Sequence, residues 1–236
     1  MLFGEGTISV LAATRVAIFG IGGVGGYALE ALVRCGVGEI DVIDADDVSW
    51  SNLNRQILAT EDTVGKRKVD VAIERCKSIN SCVKINPICD FYSPENADKY
   101  DLTKYDYIID AIDTLSSKCE LISRADALGI PIASSMGTGG KLDPTKLEVS
   151  DIYKTSVCPL ARAVRTELRK RGVKRLKVVY SKEEPEKRTV TDTHGGKTVH
   201  RVPGSAIFVP AAAGLILAKE TVCDILKIKH SVEDNE

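Results

Sequence analysis

No two of the seven cysteines stand as a C-x-x-C pair; they lie singly at 35, 76, 82, 89, 119, 158 and 223. That excludes a zinc site built on two such pairs, and no zinc is expected. An odd, scattered set reads as reduced thiols, which points to the cytoplasm. Charge of one sign is missing too: 32 Lys and Arg face 33 Asp and Glu, for a formal net charge of −1. Such a balance excludes nucleic-acid binding by the whole surface, while a local basic patch remains open. No apolar run reaches transmembrane length and no cleavable leader is recognisable, so no membrane partner is expected. Internal repeats and low-complexity tracts are also lacking.

What is present is an alternation of short apolar runs and helical stretches. Arg15–Phe19 (RVAIF) reads as a strand, Tyr27–Cys35 as a helix and Ile40–Asp44 as a second strand. This is a βαβ unit of a parallel sheet. A helix is expected over Val64–Ile79, strands over Lys84–Phe91, Tyr107–Ala111 and Pro131–Ser135, and a helix over Ser117–Leu128. The fold class that follows is α/β, a Rossmann-like, doubly wound, mostly parallel sheet with a C-terminal extension. Residues 1–140 form the nucleotide-binding half and 141–236 a substrate-side half of the same domain. In that second half Leu147–Ile152 and Leu176–Ser181 read as strands, and Pro159–Arg171 as a helix with Pro in its first turn. The polar stretch 183–203 reads as a mobile loop, and 207–226 as a closing apolar helix.

Gly20, Gly22 and Gly25, with Gly23 between them, form G-x-G-x-x-G at a strand-to-helix junction. The glycines permit a tight turn and close approach of phosphate, and the helix N-terminus offers N–H groups. Asp44 ends the second strand about twenty residues on, where a carboxylate suits ribose hydroxyls. The fingerprint alone leaves NAD and ATP both open.

Three further blocks follow in order: DADDVSWSNLNRQ at 44–56, VGKRK at 64–68 and DAID at 110–113. Behind GIGGVGG they resemble the adenylation site of the ThiF/MoeB/E1 superfamily. The chemistry accounts for the residue types. Adenylating a carboxylate requires ATP held with its α-phosphorus open, and cations placed where charge develops on the phosphoryl oxygens. The resemblance implies catalytic roles for Arg55, Lys68 and Asp113. It places Asn52, Arg55 and Lys68 on the phosphates, Asp44 on the ribose and Asp113 on Mg²⁺, with Asp46 and Gln56 completing the nucleotide site. The alternative for Asp113 is a helix N-cap. A monovalent cation is also allowed by the resemblance.

The stretches at 156–173, 178–185 and 203–218 resemble the tRNA threonylcarbamoyladenosine dehydratase family. That resemblance implies cyclisation of the threonylcarbamoyl group of a modified adenosine beside the tRNA anticodon, through an acyl-adenylate. It also implies a homodimer, and it allows a sulfur-transfer partner. Independently, Arg162, Arg165, Arg169, Lys170, Arg171, Lys174, Arg175 and Lys177 face the single acid Glu167 across 162–177, a cluster suited to RNA phosphates. A solvated helix face is its alternative. Cys158, at a helix start, gains thiolate character from the helix dipole. Ring closure within the substrate needs no thioester, so Cys158 is read as non-catalytic. Cys35, Cys119 and Cys223 read as small core residues. Relatives carry an Arg-containing segment before the first helix; with only Met1 to Thr14 ahead of the first strand, that segment is expected to be short or absent. Two other readings stay open: activation of the C-terminus of a ubiquitin-like or sulfur-carrier protein, and an NAD(P)-dependent oxidoreductase.

Overall fold

The computed structural model describes residue 4 and residues 6–186, 190–191, 198–199 and 204–228. Seven short strands form one sheet: β1 (Arg15–Phe19), β2 (Glu39–Ile43), β3 (Lys84–Ile88), β4 (Tyr107–Asp110), β5 (Ile132–Ser135), β6 (Leu147–Asp151) and β7 (Lys177–Ser181). Their order is β3-β2-β1-β4-β5-β7-β6, and every neighbouring pair is parallel except β6 with β7. The four-residue stretch Val16–Phe19 of β1 is fully buried, as a strand covered on both faces must be. The doubly wound, mostly parallel sheet expected from the alternation is thus the observed one.

Helices cover both faces. Residues of α2 (Gly25–Cys35), α3 (Lys68–Ile79) and α6 (Phe208–Ile225) share one apolar cluster with β1 and β2. On the other face, α4 (Leu115–Leu128) packs on Phe19 and Ile108, and beside it α5 (Pro159–Lys170) packs on Val178 and Tyr180. A short helix α1 (Thr7–Ala13), which the sequence pattern did not announce, precedes β1 and buries only Leu11. The chain runs outward from β1 through β2 to β3, then returns to start β4 on the opposite side of β1. At that reversal the loops leaving β1 and β4 part and open a crevice beyond the carboxyl ends of the strands.

Three boundaries differ from expectation for identifiable reasons. Helix α3 starts at Lys68 rather than Val64, because residues 65–67 fold back on 47–48: Gly65 N–H donates to Val48 O, Val48 N–H to Lys66 O, and Asp47 bridges to Arg67. Strand β3 stops at Ile88 rather than Phe91, since Asp90 N–H turns back to Ile88 O and swings Asp90, Phe91 and Tyr92 toward the crevice. Within the expected loop 183–203, the start is tied down: the Glu183 carboxylate accepts from the N–H groups of Leu142 and Asp143, and Glu186 N–H donates to Gly140 O. A two-residue antiparallel pair follows, β8 (Val190–Thr191) with β9 (Thr198–Val199); 187–189, 192–197 and 200–203 lie outside the described residues.

Helix α6 crosses α2 at very short range. A Cβ on Gly214 would stand 2.3 Å from Val24 O and 2.9 Å from Tyr27 Cβ, so only glycine fits. Gly214→Ala is expected to cost about 1–3 kcal/mol, in the range of overpacked cores, and to lower the melting temperature. Thermal unfolding of the variant checks this; an unchanged midpoint would mean that the crossing yields freely.

Candidate active site

The glycine turn is built by two contacts. Gly20 has φ +85°, and a Cβ there would meet Ala111 O at 2.8 Å; a Cβ on Gly25 would meet Gly20 O at 1.8 Å. Gly22 and Gly23 differ, because a Cβ on either would meet its neighbours no closer than 3.4 Å and would instead stand in the cleft. The first pair closes the turn and the second pair clears room for a ligand. Helix α2 begins without any side-chain cap; Gly26 N–H and Tyr27 N–H already donate to Gly22 O and Val24 O, so the N–H groups offered to an anion are those of the glycine turn just ahead of them.

The resulting cleft, about 440 Å³, gathers Gly20, Gly22, Gly23, Asp44, Asp46, Asn52, Arg55, Gln56, Lys68 and Asp113 along its walls. Gly25 stands behind the turn. What brings the middle group together is the chain between β2 and α3, whose two ends are pinned by the 47–48 and 65–67 pairing. Inside that loop a 3₁₀ turn at Trp50–Asn52 is capped by Asn52, whose Oδ1 accepts from Ser49 N–H at 3.1 Å. Arg55 Nη1 donates to Ser51 O at 2.6 Å and to Asn54 Oδ1 at 2.9 Å, so one side of the guanidinium is anchored.

Lys68 opens α3 and is 3% exposed. Its ammonium donates to Asp46 Oδ2 at 2.6 Å and lies 3.6 Å from Asp44 Oδ1. The resemblance implied phosphate contact for this cation; the structure sets it on the cleft floor between two acids. Asp44 Oδ2 also accepts from Ile21 N–H at 2.9 Å, tying the end of β2 to the glycine turn. Gln56 Oε1 and Tyr92 Oη, both lining the cleft and both buried, have no hydrogen-bond partner among the described residues. Buried polar atoms are rarely left so, and a polar ligand in the cleft would satisfy them. Burial also pushes the Tyr92 hydroxyl above its ordinary pKa, which keeps it a donor.

Asp113 is exposed at the cleft edge, with Thr114 Oγ1 3.4 Å from its Oδ1. It is not the N-cap of α4; Thr114 occupies that position. Among the described residues no group of three or more His, Cys, Asp or Glu gathers to hold a metal. One carboxylate beside triphosphate oxygens and waters still suits Mg²⁺, which seldom uses a full protein cage.

Sequence reasoning missed the group beneath Asp113. Asp110 and Lys118 are both 0% exposed, and Lys118 Nζ donates to Asp110 Oδ2 at 2.7 Å, to Ser134 Oγ at 3.0 Å and to Ser135 O at 3.0 Å. Ser134 Oγ donates to Asp110 Oδ2 at 2.6 Å, and Asp110 Oδ1 accepts from Ile112 N–H at 3.1 Å. The network locks the ends of β4 and β5 to the first turns of α4, and so fixes the backbone that carries Asp113. A signal was available: Lys118 shares its helical face with Ile122 and Ala125, both fully buried.

The basic cluster is only partly free. Arg165 Nη1 donates to Thr155 O at 2.9 Å and Thr155 Oγ1 at 2.7 Å, serving the turn before α5. Arg169 lies 5.3 Å over the Tyr153 ring, Lys170 pairs with Glu167 at 3.2 Å, and Arg171 pairs with Glu120 at 2.8 Å. Lys177 pairs with Glu220 and Asp224. Arg162, Lys174 and Arg175 are exposed and make no side-chain hydrogen bond or ion pair among the described residues. Cys158, at the N-cap position of α5, is 2% exposed; Cys119 and Cys223 are buried and Cys35 is half-buried. No helix among the described residues is long and apolar enough to cross a membrane.

Comparison with known proteins places this geometry. A model described as the ThiF family matches residues 1–232. The tRNA threonylcarbamoyladenosine dehydratase of Bacillus subtilis (strain 168) is 39% identical over 235 residues, 96% of this chain and 92% of that protein. The protein of the same name from Escherichia coli (strain K12) is 42% identical over 168 residues, 71% of this chain and 63% of that protein. Among solved structures, the Escherichia coli tRNA N6-threonylcarbamoyladenosine dehydratase TcdA in complex with ATP matches with a TM-score of 0.85 at 34% identity, over 96% of this chain and 91% of that one.

Removing one partner of a buried ion pair leaves the other uncompensated, at a cost of about 3–5 kcal/mol. Lys118→Met is therefore expected to lower stability by that order, and the double variant Lys118→Met with Asp110→Leu to recover much of it. Denaturant unfolding of the single and double variants measures this; equal losses in both would deny that the two groups neutralise each other.

Proposed function

The chain belongs to the ThiF family, and from that membership and the cleft we propose that it uses ATP and Mg²⁺ to adenylate the threonyl carboxylate of threonylcarbamoyladenosine in tRNA and so cyclise it. The observation that carries the reading is the convergence of Asn52, Arg55, Lys68 and Asp113 around the uncapped start of α2, in a chain alike over most of its length to dehydratases of that name. An NAD(P)-dependent oxidoreductase would share the glycine turn and Asp44 but leaves Arg55, Lys68 and Asp113 together unexplained.

Bound ATP would lay its phosphates over Gly22 and Gly23 toward Arg55 and Lys68, with the ribose at Asp44 and the base beside Phe91 and Tyr92. Mg²⁺, held by Asp113 and phosphate oxygens, would neutralise charge as pyrophosphate departs. Lys68 stands already desolvated between Asp44 and Asp46, so this donor would need little rearrangement as the transition state forms. The substrate carboxylate, ionised at neutral pH, attacks the α-phosphorus; the new O–P bond forms as the bond to pyrophosphate breaks. A neighbouring group of the same side chain then attacks the acyl carbon, and AMP leaves with the carboxylate oxygen. The enzyme's share is positioning and charge stabilisation.

RNA contact is assigned to the exposed cations Arg162, Lys174 and Arg175, with Arg169 and Lys170 beside them; Arg165 and Arg171 instead hold the helix in place. The exposed apolar side chains Ile207, Phe208 and Leu215 on and before α6 support a homodimer. A cytoplasmic location accords with these partners.

The deciding assay combines ATP with bulk tRNA carrying threonylcarbamoyladenosine and reads the nucleosides by mass spectrometry. Loss of one water with formation of AMP and pyrophosphate is expected; AMP formed only when a Gly-Gly-ended carrier protein is supplied would reassign the chain to carrier activation. Asp113→Ala is expected to slow pyrophosphate release by about 100-fold or more, as for loss of one transition-state contact, while leaving the melting curve unchanged. Undiminished release would remove Asp113 from the reaction. Lys174→Glu with Arg175→Glu is expected to weaken tRNA binding and reduce its salt dependence by about one unit of slope per lost phosphate contact. Binding isotherms at several salt concentrations test that, and an unaltered slope would make these side chains bystanders.

A further inference from the structure

A second cavity, about 340 Å³, opens beside the nucleotide cleft and shares Val24, Ala111, Ile112, Asp113 and Thr138 with it. Its far walls are largely apolar, formed by Met136, Cys158, Leu160 and Pro185, and its polar side chains are Asp113, Ser135, Thr138 and Lys141, of which Lys141 is the one cation. This is the composition of a ligand pocket: a volume of at least roughly 300 Å³, apolar walls and a few placed polar atoms. Lys141 is 3% exposed, donates to Gly137 O at 2.9 Å and reaches Ser181 O at 3.4 Å. An ammonium has three N–H groups, so one remains for a ligand acceptor. Burial pushes the Lys141 pKa down from its ordinary value, the mark of a cation short of solvation.

We propose that this cavity holds the modified base of the substrate, with Lys141 as the specificity-determining donor. The inference rests on the tRNA dehydratase reading. The adenine ring packs between Met136 and Leu160, the carbamoyl oxygen accepts from Lys141 Nζ, and the threonyl carboxylate reaches Asp113, where the two cavities meet. A Gly-Gly tail has no side chains and would leave the apolar walls without a partner, whereas a flat ring fills them. Continuity with α5 points the same way. Its first residues, Pro159 and Leu160, line the cavity, and the exposed Arg162 follows within a turn, so the sugar-phosphate chain flanking an inserted base would pass along the cationic helix.

The test compares wild-type protein with Leu160→Trp, which fills the cavity, and Lys141→Gln, which removes the ammonium. Calorimetry should give ATP affinities within about twofold of wild type for both, while KM for tRNA carrying threonylcarbamoyladenosine rises about tenfold or more, the signature of lost substrate binding. The free nucleoside N6-threonylcarbamoyladenosine should inhibit the wild type competitively with tRNA and should inhibit Leu160→Trp far less. If Leu160→Trp does not fold, Lys141→Gln and the nucleoside competition carry the test. Wild-type kcat/KM for tRNA in the folded variants, or inhibition competitive with ATP, overturns the proposal. Absence of AMP formation by the wild type with modified tRNA is a different result: it defeats the tRNA reading itself, and the assignment of this cavity falls with it.

Discussion

Where Gly25 passes under Gly20, the two backbones are so close that a Cβ on the later residue would stand 1.8 Å from the carbonyl oxygen of the earlier one. That contact ends β1, turns the chain and sets the axis of α2, and the cleft is organised around it. From the other side α6 presses on the same point through Gly214, whose missing Cβ admits Val24 O. The start of α2 is thus clamped between sheet and helix at two places where no other side chain fits. No side chain caps it; Gly26 and Tyr27 donate to the backbone of the turn itself, so the turn's geometry is held by backbone packing alone.

Charge in the cleft is arranged before a nucleotide arrives. Lys68 sits between Asp44 and Asp46, while Asp44 also holds the glycine turn through Ile21 N–H. In the proposed reaction, phosphate would be met by a cation whose desolvation is already offset by its neighbours. Beneath the opposite wall, Asp110, Lys118 and Ser134 neutralise one another in full burial and carry the loop on which Asp113 stands at the surface. One acid is buried and paired so that the next, three residues on, can be exposed and unencumbered. The boundary between the nucleotide cleft and the second cavity falls at that exposed acid.

The alternation of strands and helices and the glycine turn were legible from the sequence, because each rests on local periodicity or on a backbone conformation that glycine alone adopts readily, whereas Asn52, Arg55, Lys68 and Asp113 were singled out only by resemblance to a family. Helix α5 was legible for the same reason, from its Pro start and polar-apolar spacing. Other features were decided by the tertiary structure. The burial of Lys68 depends on residues 47–48 pairing with 65–67, and the end of β3 at Ile88 on the turn that sends Tyr92 into the cleft. Asp110 meets Ser134 across 24 residues, and Lys141 meets Ser181 across 40. Which basic side chains of 162–177 stay free is settled by acids such as Glu120 and Glu220, far away in the chain. Local pattern records only what a residue needs from its near neighbours. Whether a charge is neutralised, and whether a gap between helices is left open, depends on groups that the fold brings together from afar.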